Sequence, residues 1–185
     1  MVLPVIDFPM GFMGLIRTGG PDQAAWEAAQ VRLDLMGLVI RTDSSDQAAW
    51  EEAQVRLRTG LAELASDFPN NDGVGELGLL FVDGRTYTGL TPDQASSLVD
   101  EANDDMHKVI FLADSATMSS QDRTLLAVSS QAEALENWGD EEGHGKWKFR
   151  LRPESVARVH LGLSPGGTSF SEHFEDVDEN GVYRY

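Results

Sequence analysis

Hydrophobic and polar residues follow two different periods along the chain, and these periods predict helices and strands. In the clearest helical pattern, apolar residues recur every three or four positions at Trp50, Ala53, Leu57, Leu61 and Leu64. This spacing places them on one side of an α-helix. Ser44 and Gln47 have the spacing of a capping box and predict that the helix starts after Ser44. We therefore expect an amphipathic helix whose buried side centres on Trp50.

Apolar runs between the helical segments predict the strands, at residues 76–83, 107–114, 124–129 and 147–151. The run 107–114 has a continuous apolar centre, which is typical of a strand covered on both faces. The last run alternates as WKFRL and predicts a half-exposed strand at an edge of the sheet. Residues 131–145 are acidic and contain glycine, which predicts an exposed loop with a short helical piece. Strands that alternate with helices indicate an α/β fold, with a mixed, mainly parallel sheet flanked by helices.

The strand and helix pattern around Trp50 is written twice. Residues 22–33 read DQAAWEAAQVRL and residues 46–57 read DQAAWEEAQVRL, and Ile-Arg-Thr precedes both copies at the same distance. Each copy is an apolar run, a polar turn and an amphipathic helix, so the chain has a duplicated N-terminal strand–turn–helix unit. We assign residues 1–36 to an N-terminal arm with the first copy, and residues 37–185 to the α/β domain.

The charge of the chain limits the partners it can bind. The formal net charge is −17 and the isoelectric point is near 4.4, and most of the excess lies in residues 61–145, which we interpret as an acidic face. Such a potential disfavours nucleic acids and anionic membranes and attracts basic proteins. We therefore expect another protein with a basic surface as partner, no nucleic acid and no membrane. The chain has no cysteine, which excludes a thiolate zinc site and favours the cytoplasm.

Three predicted strands end at an acidic residue, and these form the main candidate cluster: Asp43, Asp83 and Asp114. If the strands are parallel neighbours, the three carboxylates lie at the C-terminal edge of the sheet, where open α/β folds build sites. Carboxylates that converge there can hold Mg²⁺ for phosphoryl chemistry. The alternative is that each aspartate caps the next helix or closes a turn. We expect the second result.

A second candidate surface lies where the acidic segment meets a basic strand. Between residues 146 and 152 basic and aromatic residues alternate, which places the charges on one face of a strand. The candidate interaction residues are Asp140, Glu141, Glu142, Lys146, Lys148 and Arg150. The four histidines lack zinc-site spacing, and no nucleophile, P-loop or complete dinucleotide motif is present. We expect no catalytic residue, no metal ligand and no cofactor.

Four separated segments resemble an uncharacterised family of actinobacterial proteins: LVIRTDSSDQAAWEEA, LLFVDGRTYTGLT, VIFLADSATM and FSEHFEDVDENGVYRY. The resemblance covers residues 37–185. Asn180 stands where the family pattern has Asp, and the first copy of the repeat is extra, with Gly19 at the position of Asp43. The resemblance implies the fold and the source, and it implies no activity.

These observations lead to one expected function and two alternatives. We expect a non-enzymatic, acidic protein-interaction module, such as an immunity or antitoxin-type protein that blocks a basic enzyme, in which charge accelerates the encounter. The first alternative is a magnesium-dependent enzyme or phosphate-handling domain that uses the strand-end aspartates. The second is a structural subunit of a larger assembly.

Overall fold

Six β-strands form the centre of the structure, a computed structural model that describes residues 36–68, 78–84, 87–102, 109–143, 145–163 and 167–183. The strands are β1 (Met36–Arg41), β2 (Gly78–Asp83), β3 (Ile110–Ala113), β4 (Leu125–Val128), β5 (Lys148–Leu151) and β6 (Val182–Tyr183). They lie in one sheet in the order β2-β1-β3-β4-β5-β6. β1 is parallel to β2 and β3, β4 is antiparallel to both its neighbours, and β6 is parallel to β5.

Helices connect the strands and flank the sheet. They are α1 (Gln47–Asp67), α2 (Pro92–Ala102), α3 (Ser115–Ser119), α4 (Gln131–Gly143), a 3₁₀ turn (Pro153–Ser155), α5 (Val156–Gly162) and α6 (Phe170–Glu175). The predicted fold class is therefore confirmed, because the chain forms an α/β domain with a mixed, mainly parallel sheet.

The larger core lies between α1 and one face of the sheet. Trp50 and Leu57 are 1% and 0% exposed and pack with Val39 and Phe111 from the two central parallel strands. Since side chains alternate along a strand, Leu38 and its equivalents point to the opposite face. The apolar stripe that predicted α1 is the side of the helix that the structure buries.

The opposite face of the sheet is covered by α2, which contacts β3, β4 and α4. Every residue of β3 and β4 is buried, as expected for strands covered on both sides. Ala95 and Val99 provide the buried side of α2. A reciprocal capping box starts this helix, because Thr91 Oγ1 accepts from Gln94 N and Gln94 Oε1 accepts from Thr91 N.

Local details differ from the sequence-based expectations. The cap of α1 is Asp46 rather than Ser44, since the Asp46 carboxylate accepts from Ala49 N at 2.9 Å. The expected loop after residue 130 is helical, with a break at Gly139, whose φ is 74°. The strand predicted at the sheet edge, β5, is paired on both sides, because β6 adds beyond it. Two residues of β6 suffice to remove β5 from the edge.

The length of α1 raises the question of a membrane span. The helix has 21 residues, but charged side chains occur on every turn. None of the described helices combines the length and the hydrophobicity that a transmembrane helix requires.

The first copy of the repeated unit and the N-terminal arm, residues 1–35, lie outside the described residues. β1 starts at Met36, and the other five described strands come after β1. We therefore predict that a chain starting at Met36 stays soluble and unfolds cooperatively. Urea unfolding followed by both fluorescence and circular dichroism measures this. Aggregation of the shortened chain on expression would show that the first copy is integral to the sheet.

One buried histidine makes the stability depend on pH. His173 on α6 is 6% exposed, and its Nε2 atom has no hydrogen-bond partner among the residues that the structure describes. Burial lowers the pKa of His173 below its usual value, although the charges of Asp176 and Glu172 act in the opposite direction. The unfolded chain therefore binds a proton at His173 more readily than the folded chain does. The contribution of neutral His173 to the free energy of unfolding is fully present above pH 6.5, the usual pKa of histidine, and is lost as the pH falls below that value.

We therefore predict that the free energy of unfolding of the wild type decreases between about pH 7.5 and about pH 5.5. The variant His173→Gln cannot titrate there and should show a smaller decrease. Urea unfolding at both pH values gives the comparison. An identical pH dependence of the two proteins would contradict the role assigned to His173.

Candidate functional site

The C-terminal ends of β1, β2 and β3 meet at one edge of the sheet, because the three strands are adjacent and parallel. Asp83 pairs in register with Arg41, and Ala113, which precedes Asp114, lies on the other side of Arg41. Asp43 follows Arg41 in the loop that leads to α1. The three strand-end aspartates therefore lie along the same edge of the sheet.

Arg41 is the residue around which this edge is built. Its side chain is 5% exposed, and its Nη1 atom lies 3.0 Å from Asp83 Oδ2 and 2.7 Å from Gln47 Oε1. Its Nε atom donates to the main-chain oxygen of Asp43 at 2.9 Å. A buried arginine needs partners for its donors, and these contacts supply them. Asp83 thus neutralises Arg41 and ties β2 to β1.

Asp114 also pairs with an arginine and caps a helix at the same time. Arg150 Nη2 and Nη1 lie 2.5 and 3.1 Å from its two carboxylate oxygens. Asp114 Oδ1 accepts a hydrogen bond from Thr117 N. In return, the Thr117 hydroxyl oxygen accepts from Asp114 N at 3.1 Å, which completes the capping box of α3. Burial raises the pKa of Asp114, but the Arg150 and Thr117 contacts outweigh burial and hold the pKa below its usual value. The carboxylate is therefore ionised and fully engaged at neutral pH.

Asp43 differs from the other two acids because no arginine among the described residues pairs with its carboxylate. Its Oδ1 atom accepts from Ser45 N at 2.7 Å, which closes a turn. Asp43 lines an open groove of about 580 Å³ between the β1–α1 loop and α3. The lining residues are Asp43, Ser45, Asp46, Ser115, Ala116, Met118 and Ser119. The groove includes Asp43 but neither Asp83 nor Asp114.

These contacts give the three carboxylates different roles. Asp83 and Asp114 are engaged by arginine, and Asp43 faces the groove. Within the part of the chain that the structure describes, no group of three or more His, Asp or Glu side chains is arranged to hold a metal ion. Magnesium binding by the three aspartates stays an untested alternative, and thermal unfolding can test it.

The predicted basic stripe lies on one face of β5. Lys148 and Arg150 are half-buried, while Phe149 and Leu151 between and after them are buried in the core. Lys148 Nζ lies 4.2 Å from the ring centroid of Trp147. Arg150 forms an ion pair with Asp114, so its charge is neutralised by an acid of the same chain.

The remaining predicted interaction residues lie near the break in α4. Lys146 Nζ is 3.4 Å from the ring centroid of Trp138, a cation–π contact. Asp140, Glu141 and Glu142 belong to α4 after Gly139, and their side chains lie outside the described part of the structure. Their role in an interface stays a prediction.

Two parts of this edge were missed by sequence reasoning. Arg41 is the middle residue of the repeated Ile-Arg-Thr motif, and the repeat alone predicts no contact for it, although a charged residue that ends a buried strand beside a predicted acid is a signal for an ion pair. The sequence pattern predicts no element at residues 115–119, because five residues are too few for a helical period. Asp114 with Thr117 three residues later was the available signal for a capped helix.

Comparisons with known proteins give one match. No curated protein and no solved structure matches the chain. The model of one protein family matches residues 36–185, which include all six strands and every helix described above. The chain therefore belongs to the family described as Domain of unknown function (DUF6924).

Proposed function

We propose that this chain is a non-enzymatic, acidic protein-interaction module that binds a partner with a basic surface. In this proposal it acts as immunity or antitoxin-type proteins do, by covering a basic region of another protein. The observation that carries the proposal is that two of the three strand-end acids are paired with arginines of the same chain. Arg41 holds Asp83, and Arg150 holds both oxygens of Asp114.

A carboxylate that is engaged by arginine is a poor metal ligand or general base, because binding a substrate or ion there first requires breaking the ion pair. Asp114 is also needed as the cap of α3. The positions at which an α/β enzyme would place its acids thus have structural roles. This favours an interaction module over the magnesium-dependent enzyme.

Other acidic groups are available to a partner. Glu63 on α1, Asp93 on α2 and Glu136 on α4 are exposed and make no hydrogen bond or ion pair through their side chains within the described ranges. Because α1 and α2 cover opposite faces of the sheet, these charges surround the domain instead of forming one patch. With a net charge of −17, they would mainly accelerate encounter with a basic protein.

The proposal includes a cytoplasmic location and no cofactor. The chain has no cysteine to form disulfides or thiolate metal sites. Nucleic acids and anionic membranes would be repelled by the same net charge that attracts a basic protein. The proposal also includes an actinobacterial source, which the resemblance of four sequence segments to actinobacterial proteins supports, and an actinobacterial lysate is the first choice for finding the partner.

Affinity capture tests this function. The full chain is immobilised, exposed to native lysate at about 0.1 M salt and washed at about 1 M salt, where screening reduces the Debye length to about 3 Å. We expect one basic protein to bind at low salt in stoichiometric amount, and its association rate to fall as salt rises. Mass spectrometry identifies the protein, and surface plasmon resonance measures the rate.

The matched control is a triple variant, Glu63→Gln, Asp93→Asn and Glu136→Gln. These side chains have no hydrogen-bond or ion-pair partner to lose in the described part of the chain, so the variant should fold normally and associate more slowly. A partner that binds both proteins at the same rate, without salt dependence, would contradict the electrostatic mechanism. Stoichiometric recovery of several neutral proteins as one assembly would instead favour the structural subunit.

A further inference from the structure

The C-terminal segment, residues 169–183, is attached to the rest of the domain by short elements. It consists of the six-residue helix α6, a turn and the two-residue strand β6. β6 pairs with β5 at two positions, Arg150 with Val182 and Leu151 with Tyr183. Short elements with few ladder contacts open at a lower free energy than the central strands of a sheet. The C-terminal segment can therefore open while the rest of the sheet stays folded.

Aromatic side chains hold the C-terminal segment against β5. The ring centroids of Phe170 and Phe174 on α6 lie 4.8 and 6.5 Å from the ring centroid of Phe149. The ring of Tyr183 on β6 lies 5.8 Å from the same centroid. Phe149 is buried in this closed arrangement. Opening of the segment would expose the face of Phe149 on which these rings pack and would leave β5 at the edge of the sheet.

His173 lies where the C-terminal segment meets α5. A Cβ atom added to Gly162, the last residue of α5, would lie 2.7 Å from His173 Nε2 and 3.0 Å from Cε1. On its other side, the imidazole meets the ring of Tyr183 edge-on, with ring centroids 5.6 Å apart. The imidazole therefore fills the junction between α5, α6 and β6, and its protonation state acts on the contact that keeps the segment closed.

This junction suits a neutral imidazole and not an imidazolium. The Nε2 atom of His173 is buried and has no hydrogen-bond partner among the described residues. In the neutral ring this nitrogen can be a bare acceptor, whereas in the protonated ring it is an N–H donor. Burying a charged donor without an acceptor is unfavourable. The closed segment therefore disfavours the proton, and an open segment, in which water reaches the ring, accepts it.

Acidic residues of the segment itself act against this preference. Burial lowers the pKa of His173 and outweighs the charges of Asp176 and Glu172, which raise it. The Glu172 carboxylate is engaged at the start of α6, where it accepts from Ser169 N at 2.6 Å. Asp178 accepts from two main-chain N–H groups of the turn before β6. At neutral pH the ring in the closed segment is therefore uncharged.

Charged groups on the neighbouring elements have contacts elsewhere. On α5, Arg158 pairs with the aspartate at the end of α1, and His160 lies against β1 at Gly37. On β5, Arg150 pairs with the aspartate that caps α3, and Lys148 lies over the ring of the adjacent tryptophan. Among the described residues, the charges that act on the imidazole in the junction are therefore those of its own segment.

We propose that protonation of His173 releases the C-terminal segment, which is closed at neutral pH and opens reversibly as the pH falls. This inference does not depend on the proposed function. The usual pKa of histidine, 6.5, applies to the ring in the open segment. One pH unit below that value, protonation shifts the equilibrium toward the open segment by about tenfold.

Amide hydrogen exchange of the ¹⁵N-labelled full chain, measured by NMR at about pH 7.5 and about pH 5.5, tests the release. Rates are corrected for the intrinsic pH dependence of exchange. Arg150 N reports on the segment because it donates to Gly181 O at 3.1 Å, and Thr42 N reports on the central strands because it donates to Ala113 O at 2.9 Å. We expect the protection of Arg150 to fall about tenfold and that of Thr42 to stay constant. An equal fall at both amides, or no fall at Arg150, would overturn the proposal.

Two histidine variants assign the effect to one ring. In His173→Gln the protection of Arg150 should be the same at both pH values, whatever its level. His160→Gln removes a second buried histidine and should keep the tenfold fall of the wild type. A pH-dependent fall in His173→Gln would overturn the proposal.

A ring titration in the wild type tests the same point without a substitution. The Cε1 proton of His173, followed by NMR, should titrate with a midpoint below pH 6.5, because the closed segment disfavours the proton. A midpoint at or above 6.5 would show that closing the segment does not oppose protonation and would overturn the proposal.

Discussion

The Trp50→Ala variant is expected to lose about 3–5 kcal/mol of unfolding free energy, the range for large aromatic side chains removed from a core. Trp50 is 1% exposed and lies at the centre of the larger core. Its ring contacts Phe81 edge-on, with ring centroids 6.1 Å apart, and Arg41 lies 5.8 Å from its centroid. Truncation leaves a cavity and removes the ring against which the buried arginine packs. Urea unfolding measures the loss.

The same helix provides the control. Val55 is 60% exposed, so Val55→Ala should change the stability by no more than about 0.5 kcal/mol, as for surface substitutions. An unchanged denaturation midpoint in Trp50→Ala would show that the aromatic ring is not part of the core.

The Gly60→Ala variant should be destabilised by about 2–3 kcal/mol, as in overpacked sites. Helix propensity alone predicts the opposite, a gain of about 1 kcal/mol. At Gly60, α1 approaches the 3₁₀ turn so closely that an added Cβ would collide with the Glu154 carbonyl oxygen and lie 2.6 Å from its Cα atom. The obstacle is backbone and cannot rotate away.

Thr59→Ala is the matched control, because residue 59 is the exposed neighbour on α1. It should be neutral or slightly stabilising, since it gains helix propensity without a collision. Thermal and urea unfolding of both variants distinguish the two effects. A stabilised Gly60→Ala variant would mean that the helix and the 3₁₀ turn are not in close contact.

The parts of the fold that sequence reasoning predicted correctly are those in which burial leaves a local periodic trace. Trp50 and Leu57 share a face of α1 because their spacing matches the helical repeat. β3 reads as a continuous apolar run because both its faces are covered. In each case the pattern that predicts the element is caused by the contacts that stabilise it.

The missed elements are stabilised by contacts that leave no periodic hydrophobic pattern in the sequence. α3 has five residues and depends on the Asp114 and Thr117 capping box, and the Thr117 hydroxyl also donates to the main-chain oxygen of Thr124. The helix after residue 130 has acidic residues throughout and a break at Gly139, so its composition resembles a loop. A broken, acidic helix of this kind depends on tertiary packing more than on propensity, and α4 packs against α2.

The candidate site could be predicted only in outline. The strand-end positions of Asp83 and Asp114 follow from the apolar runs before them, but their arginine partners do not. Arg41 precedes Asp83 by 42 positions, and Arg150 follows Asp114 by 36. These pairs form because of the strand order and register, which local patterns do not contain. The groove beside Asp43 likewise exists only because β1 and β3 are neighbours.

A non-enzymatic interaction module requires that the strand-end carboxylates form no magnesium site, and thermal unfolding measures this directly. The melting temperatures of wild type and Asp114→Asn are compared with and without millimolar Mg²⁺ at constant ionic strength, which removes general screening. Since arginine already holds Asp83 and Asp114, we predict that Mg²⁺ changes both melting temperatures equally. A bound ion would add about 2.7 kcal/mol at a hundredfold excess over its dissociation constant. A rise in wild type that is absent from Asp114→Asn would contradict the proposed function and favour the metal-dependent enzyme.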